Sequence, residues 1–182
     1  MKKSTLVILV VFIILLVTLF VFETNNIQLL KQTPSPTAQL KVYEGWNIEN
    51  IVRIDHQSGD LEGLSIIKNS DNSWTFPSST SLVDQGTVQE LLSTLESMVI
   101  LTQLEPGFDL SSIGLVSPQH NIILTSDSQE KIEMWIGSQT PTGSGYYVSI
   151  NNQPPIVISK YNVDSIIELL SPNNLVLQTA TP

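Results

Sequence analysis

An apolar run at the amino terminus dominates the pattern of hydrophobic and polar positions in this chain. No charged residue occurs from Ser4 to Phe22, and these 19 residues are mostly Leu, Val, Ile and Phe. As a helix they would extend roughly 28 Å at about 1.5 Å per residue. That length is close to the roughly 30 Å hydrocarbon thickness of a bilayer. The pattern therefore predicts one transmembrane helix over residues 4–22.

A cleavable signal peptide is the alternative interpretation of this run. Signal peptides usually have an apolar core of about 7–15 residues, followed by a small-residue cleavage site. The core here is longer, and the segment Val21–Asn25 does not resemble Ala-x-Ala, which favours an uncleaved signal anchor. Because Lys2 and Lys3 precede the run and basic residues favour the cytoplasmic side, residues 1–3 are predicted to be cytoplasmic and the C-terminal domain extracytoplasmic.

Two prolines separate the predicted anchor from the rest of the chain. Pro34 and Pro36 lie in a Thr-Pro-Ser-Pro-Thr segment, which ends a helix and favours a stiff, extended spacer. Residues 23–40 are therefore predicted to be a linker and 41–175 a folded domain. Residues 176–182 are predicted to be a flexible tail.

Within residues 41–175, short alternating segments twice precede a helical pattern. This order predicts an α+β fold, in which an antiparallel sheet or sheets carry two helices on one face, and it suggests a tandem strands-then-helix pseudo-repeat. Alternation of apolar and polar residues predicts seven strands, at Asn50–His56, Leu64–Lys68, Trp74–Phe76, His120–Thr125, Ile132–Ile136, Tyr146–Ile150 and Pro155–Ser159.

Two segments have the apolar stripe of an amphipathic helix. Thr87 and Glu90 match a capping box, so the first helix is predicted to begin at Thr87. Asn162 is the predicted cap of the second helix, which Ser171 and Pro172 end. The stripes predicted to face the core are Val88, Leu91, Leu92, Leu95, Met98 and Val99 in the first helix, and Val163, Ile166, Ile167 and Leu170 in the second.

Composition and charge exclude several classes of chemistry and partner. The chain has no cysteine, so disulfides, thiol chemistry and acylation of a cysteine are excluded. When Lys2 and Lys3 are excluded, the rest of the chain contains six basic and seventeen acidic residues. Such an acidic surface repels phosphates, and no nucleic-acid partner is expected. Contact with the lipid bilayer is predicted only through Ser4–Phe22.

The sequence contains no motif that predicts catalysis or metal binding. Its two histidines, His56 and His120, are not accompanied by a Gly-x-Ser-x-Gly nucleophile elbow, and both are interpreted as polar residues at strand ends. Asp55, His56, Asp60 and Glu62 form the densest group of metal-ligating residue types, but their spacing matches no known metal motif and favours a turn. We therefore predict no catalytic residue, no metal and no cofactor.

Aromatic residues on the predicted strands are candidates for contact with a partner or a glycan. Tyr146 and Tyr147 are neighbours on one strand, so both cannot point inward. An outward-facing Trp135 or Tyr147 would be available to a partner, unless a neighbouring strand or helix covers it. The loop Thr140–Gly145 before this strand contains two glycines, and it is interpreted as a hairpin loop because a phosphate-binding loop would precede a helix.

The second half of the chain resembles a known family. The segments that carry the resemblance are Ile113–Pro118 (Ile-Gly-Leu-Val-Ser-Pro), Ile136–Gly143 (Ile-Gly-Ser-Gln-Thr-Pro-Thr-Gly) and Tyr146–Val148, preceded by Trp74–Pro77 and a capped helix. They are similar to those of the bacterial family catalogued as domain of unknown function 4340, over about Ile54 to Leu170. The resemblance implies a membrane-anchored, uncharacterised domain, often encoded near ABC-type transport or gliding-motility genes, with no catalytic residues to transfer.

Together these observations predict a single-pass, membrane-anchored extracytoplasmic domain that is not an enzyme. Its expected role is that of an accessory or scaffold protein of a membrane complex, with an unidentified membrane-protein partner. The alternative is a ligand-binding module for cell-wall glycan or a small exported solute. An envelope hydrolase is the third hypothesis, and it would need His56 or a pair of carboxylates inside a cleft.

Overall fold

The described part of the chain is built around one eight-stranded antiparallel sheet. In this computed structural model it comprises residues 40–43, 46–59 and 63–177. The strands are β1 (Ile51–Ser58), β2 (Leu64–Lys68), β3 (Trp74–Thr75), β4 (Ile100–Gln103), β5 (His120–Ser126), β6 (Lys131–Gln139), β7 (Gly145–Ile150) and β8 (Ile156–Ser159). Their order across the sheet is β3-β2-β1-β5-β6-β7-β8-β4.

Two helices pack together against one face of this sheet, and the predicted α+β class is confirmed. They are α1 (Gln85–Ser97) and α2 (Lys160–Leu169), accompanied by a short helix α3 (Pro172–Leu175) and a 3₁₀ turn (Ile48–Asn50). Both halves have the predicted order of strands followed by a helix. They share a single sheet, because β1 of the first half pairs with β5 of the second.

Alternation along the strands divides the sheet into two faces with different surroundings. On the helix face, the side chains that pack against α1 and α2 are almost wholly excluded from solvent; they include Ile54, Ile66, Ile122, Leu124, Met134, Ile136, Val148 and Ile158. We call the other side the open face. It is formed by Arg53, Asp55, Ile67, Asn121, Ile123, Glu133 and Trp135 on β1, β2, β5 and β6.

Both long helices begin three residues earlier than the sequence pattern predicts. The N-cap of α1 is Asp84, whose side chain accepts a hydrogen bond from the amide of Thr87. The N-cap of α2 is Ser159, whose hydroxyl accepts one from the amide of Asn162. Each predicted cap is thus the third residue of its helix, and an Asp or Ser just upstream satisfies its free N–H group.

The end of α1 and the following strand also differ from the prediction. The helix stops at Ser97 with Met98 as its C-cap, so Val99 is not part of the helical stripe. Val99 instead forms an antiparallel bridge with Lys41. Strand β4 then pairs with β8 at the edge of the sheet. It was not predicted, because its residues are mostly exposed and show no alternation of burial.

The predicted anchor and most of the predicted linker and tail lie outside the described residues. Among the helices of residues 40–43, 46–59 and 63–177, none has both the length and the hydropathy that a membrane span needs. Val176 and Leu177, which open the predicted tail, contact the chain before α1: Val176 bridges Val83, and the Leu177 amide donates to the Leu82 carbonyl at 2.8 Å.

Candidate functional site

Trp135 and Tyr147, the two predicted contact residues, both lie on the side of the sheet away from the helices. Trp135 is on β6 opposite Ser149, and Tyr147 is on β7 opposite Val157. Both side chains are half-buried. Tyr146 points the other way, into the helix layer, where it is buried. Alternation along β7 therefore places Tyr146 and Tyr147 on opposite faces of the sheet. Trp135 and Tyr147 remain partly exposed to solvent.

A pair of opposite charges lies on the open face of β1, which strand β5 separates from Trp135 on β6. Arg53 donates two hydrogen bonds of 2.7 Å to the carboxylate of Asp55, two residues along the same strand. Burial would raise the pKa of Asp55, but the hydrogen bonds and charge of Arg53, together with the charge of Lys131, lower it overall. Asp55 is consequently held as a carboxylate on a surface that also presents Ile123 and Trp135.

Three buried polar atoms on the same side of the sheet have no hydrogen-bond partner in the described part of the chain: Ser65 Oγ, Asn121 Oδ1 and Thr125 Oγ1. Asn121 donates from its amide nitrogen to Glu133 at 2.9 Å, whereas its Oδ1 atom accepts nothing. The hydroxyl of Thr125 is likewise unpaired. Unsatisfied buried groups are uncommon, because each one costs free energy on burial. Their presence distinguishes this face from the mainly apolar helix face.

The long loop between β4 and β5 crosses this side of the sheet at the end of β6. Gly137 lies directly beneath the crossing: a Cβ atom there would lie 3.1 Å from the carbonyl carbon of Gly114 and 3.2 Å from Leu115 Cδ2. Gly114 has a φ of 74°, and a Cβ on it would lie 2.6 Å from Ser138 Oγ. Ile113 and Leu115 are buried by the crossing. These are the residues that carry the family resemblance, and their conformation explains why two are glycines.

Behind the open face, Tyr146 connects β6, β7 and α2 through hydrogen bonds. Its hydroxyl donates to Asp164 Oδ1 at 2.9 Å and accepts from Gln139 Nε2 at 2.7 Å. Lys160 forms an ion pair with Asp164, one turn along the helix. The hydrogen bond and charge of Lys160 lower the pKa of Asp164. This network ties the first turns of α2 to the sheet.

The two histidines, which the sequence placed on separate strands, contact each other. Nε2 of His56 lies 3.1 Å from Nδ1 of His120, and the rings are inclined by only 22°. The ring centroids are 5.3 Å apart, which exceeds the nitrogen separation by nearly the diameter of one imidazole. The two nitrogens therefore lie close to the line between the centroids, so the rings meet end to end in a hydrogen bond rather than face to face.

Burial keeps this pair uncharged near neutral pH. It lowers the pKa of His56 to about 4, assisted by the charge that His120 would carry and opposed by the backbone of Leu170. Burial also lowers the pKa of His120. In the neutral pair one imidazole donates N–H and the other accepts with its lone pair. Sequence reasoning missed the pair, because only the register of β1 with β5 brings position 56 close to position 120.

Asp55 and His56, the two described members of the group of metal-ligating residue types, point to opposite faces of the sheet. His56 faces the helix layer, whereas Asp55 lies on the open face, as alternation requires. Asp60 and Glu62 lie outside the described residues. Within the described ranges, no three His, Cys, Asp or Glu side chains converge on a point that could hold a metal ion. The loop Thr140–Gly145 joins β6 to β7 as a hairpin, with Gly143 at a φ of 67°.

A polar cleft of about 640 Å³ lies at the other end of the sheet, between α1, the 3₁₀ turn and the β2–β3 turn. Gln85 forms part of its wall and holds the short strand β3. The Gln85 side chain accepts from the Trp74 amide at 2.8 Å and donates to the Trp74 carbonyl at 2.9 Å. The rest of the lining is mainly amide and carboxylate side chains, including Asn47, Asn50, Asn72, Gln89, Glu49 and Glu96.

Comparison with known proteins identifies one family. The model of a family described as a domain of unknown function (DUF4340) matches residues 74–176, which is more than half of the chain. The resemblance predicted from the sequence is therefore confirmed, although the match begins at Trp74 rather than near Ile54. No curated protein and no solved structure matches the chain.

Proposed function

We propose that this chain, which belongs to the family described as a domain of unknown function (DUF4340), is a single-pass, membrane-anchored extracytoplasmic domain that serves a membrane complex as a non-enzymatic accessory or scaffold protein. The observation that carries the proposal is the open face, on which no helix of residues 40–43, 46–59 and 63–177 packs and which presents Trp135 and Ile123 half-buried beside charged side chains. Its partner is an exported segment of a membrane protein.

The composition of the open face supports a contact function. Protein interfaces combine an apolar centre with a polar rim, and Trp and Arg are over-represented among the residues that contribute most to binding. Here Trp135 and Ile123 supply the apolar part, while the Arg53–Asp55 ion pair and the Glu133 carboxylate, which accepts from Asn121, supply the charges.

Anchoring supports the same role by restricting where the domain can be. A helix over residues 4–22 and a proline-containing linker would hold the domain within a short distance of the bilayer. Tethering raises the effective concentration of a membrane-bound partner, so even a weak contact is populated. A modest open face is therefore adequate for an accessory protein, whereas a freely diffusing protein would need a larger interface.

Site-specific crosslinking from native membranes tests this proposal. Because the chain has no cysteine, a Lys131→Cys or Glu133→Cys variant carries a single crosslinker at the open face. Tyr161→Cys is the matched control, since Tyr161 is 80% exposed on α2. We expect a discrete adduct with an integral membrane protein from positions 131 and 133 and none from 161. Recovery of the uncrosslinked chain alone from all three positions would refute the proposal.

Binding of a cell-wall glycan or a small exported solute is the second candidate, and the polar cleft is the observation that favours it. Its amide-rich lining suits hydroxyl and amide groups. Calorimetric titration with soluble cell-wall fragments, using Gln89→Ala in the cleft against wild type, distinguishes the two. Saturable heat that Gln89→Ala abolishes would favour the ligand-binding function.

A further inference from the structure

We propose that His56 and His120 form a proton-operated latch, which holds the C-terminal end of α2 on the sheet while the pair carries at most one added proton and releases it when both rings are protonated. The inference rests on the end-to-end contact of the two rings and on their position, and it is independent of which partner the open face binds.

The position of the pair places it between the sheet and the end of a helix. His56 is on β1 opposite Ile122, and His120 is on β5 opposite Ser58, so the two are diagonal neighbours on the helix face. The backbone of Leu170, the C-cap of α2, is close enough to affect the pKa of His56. Any movement of the rings is therefore transmitted first to the last turn of α2.

Counting protons shows why the pair has two states. The neutral pair has one N–H between its inner nitrogens, Nε2 of His56 and Nδ1 of His120. A first added proton can bind an outer nitrogen, which leaves the inner hydrogen bond intact and makes it charge-assisted. A second added proton makes both rings donors at every nitrogen. Two N–H groups and two positive charges then face each other across 3.1 Å, and the contact must open.

The direction of the pH dependence follows from the same contact. An unfolded histidine has a pKa of about 6.5, whereas burial lowers the pKa of His56 in the folded state to about 4. Between these values the unfolded chain binds more protons than the folded one, so stability falls as the pH decreases from about 6.5 towards 4. The latch is closed at neutral pH and opens in acid.

Few other charged groups face the pair from the elements around it. On β1, Arg53 and Asp55 lie on the open face and neutralise each other. Strand β5 carries no Asp, Glu, Lys or Arg. On β6, Lys131 and Glu133 lie on the same face as Trp135, which is the open face, so they point away from the histidines.

On α2, Lys160 and Asp164 pair at the opposite end of the helix, and Glu168 is exposed. Asp60 and Glu62, which follow β1 in the sequence, lie outside the described residues. The variant Asp60→Asn/Glu62→Gln removes their charges in the test below.

The segment that the latch would release is short and held by few bonds. After α2, Leu175 accepts a hydrogen bond from the Asp84 amide at 2.8 Å, and the Leu177 amide donates to Leu82 at 2.8 Å. Val176 bridges Val83. Opening of the pair would thus loosen residues 170–177 together with the start of α1, and it would leave the central strands in place.

Hydrogen exchange of the full-length chain in detergent micelles, measured by mass spectrometry from pH 7 to pH 4, tests the latch. After correction for the intrinsic pH dependence of exchange, we expect protection in peptides covering 169–177 to fall about tenfold or more in acid, the effect of a pKa change of one unit or more. Peptides from β6 and β7 should keep their protection.

The double variant His56→Gln/His120→Asn is the matched control. The Gln amide nitrogen and the Asn oxygen can take the places of Nε2 and Nδ1, so an N–H···O bond replaces the original contact without a titratable group. We expect its 169–177 peptides to remain protected down to pH 4. If the double variant does not fold, His56→Gln alone serves as the control. The remaining His120 can donate an N–H to the Gln oxygen whether it is neutral or protonated.

Four outcomes would overturn the proposal. If wild type and the Gln/Asn variant lose protection in parallel, the acid response belongs to carboxylates. The same follows if the acid response disappears in the Asp60→Asn/Glu62→Gln variant. Unchanged protection of the wild type at pH 4 would show that the pair does not open. Micromolar Zn²⁺ that increases protection and shifts the NMR signals of both histidines would identify a metal site instead.

Discussion

The amide of Ser138 donates a hydrogen bond of 2.8 Å to the carbonyl of Ile113. This bond attaches the loop between β4 and β5 to the end of β6 on the side of the sheet away from the helices. Gly137 precedes Ser138, and Gly114 follows Ile113, so a glycine lies on each side of the contact. The family resemblance thus marks a place where two backbone segments cross without side chains between them.

Replacement of Gly137 by Ala should destabilise the fold, because a methyl group there would overlap the backbone of the crossing loop. Overpacking of a tight site costs about 1–3 kcal/mol, so we expect a clear fall in the urea midpoint of unfolding. Gly63→Ala is the control, since its nearest neighbour is 3.5 Å from the new Cβ atom. Equal midpoints for Gly137→Ala and wild type would contradict the described crossing.

Tyr146→Phe should lose stability, and Tyr147→Phe should not. The Tyr146 hydroxyl bonds both Asp164 and Gln139, and removal of such a group costs about 1 kcal/mol. The Tyr147 hydroxyl has no hydrogen-bond partner among the described residues, so its loss should change the free energy of unfolding little. Chemical denaturation of the two variants side by side measures the difference. Equal free energies of unfolding for Tyr146→Phe and Tyr147→Phe would argue against the hydrogen bonds of the Tyr146 hydroxyl.

Gln85→Ala should loosen the edge of the sheet at β3. The Gln85 side chain satisfies both the amide and the carbonyl of Trp74, much as a neighbouring strand would. We expect a loss of about 1–2 kcal/mol and faster hydrogen exchange at Trp74. Gln89→Ala, one turn later and exposed, serves as the control. Slow exchange at Trp74 in Gln85→Ala would show that other contacts hold β3.

Trp135→Ala should weaken association with a membrane partner and leave the fold intact. Trp135 lies outside the hydrophobic core of the helix face, and loss of a central interface Trp commonly costs about 2 kcal/mol or more of binding energy. Co-purification from native membranes measures the effect, with Tyr161→Ala as an exposed control of similar size. An undiminished yield of partner with Trp135→Ala would exclude this side chain from the interface.

The proposed orientation in the membrane has its own test. A single cysteine at position 161 should react with a membrane-impermeant maleimide added to intact bacterial cells, because the side chain there is exposed and the domain is proposed to be extracytoplasmic. Labelling of the same variant only after cell lysis would place the domain in the cytoplasm.

The α+β class and most of the strands could be predicted from the sequence, because burial on one side of a strand or helix leaves a periodic apolar pattern. Leu64–Lys68 was predicted with its observed bounds, and Val88, Leu91 and Leu95 are buried as predicted. The two helix starts were misplaced, since Asp84 and Ser159 are caps as favourable as the residues chosen. Strand β4 was missed, because its residues carry no pattern of burial.

The sequence by itself determined most of the secondary structure, the family and the acidic, cysteine-free composition, because each depends on local pattern or on counts of residues. Only the tertiary structure decided which residues meet. The pairing of His56 with His120 depends on the register of β1 and β5, and the crossing at Gly137 depends on the path of a loop over a distant strand. Such contacts join positions far apart in the chain, and neither local periodicity nor spacing specifies them.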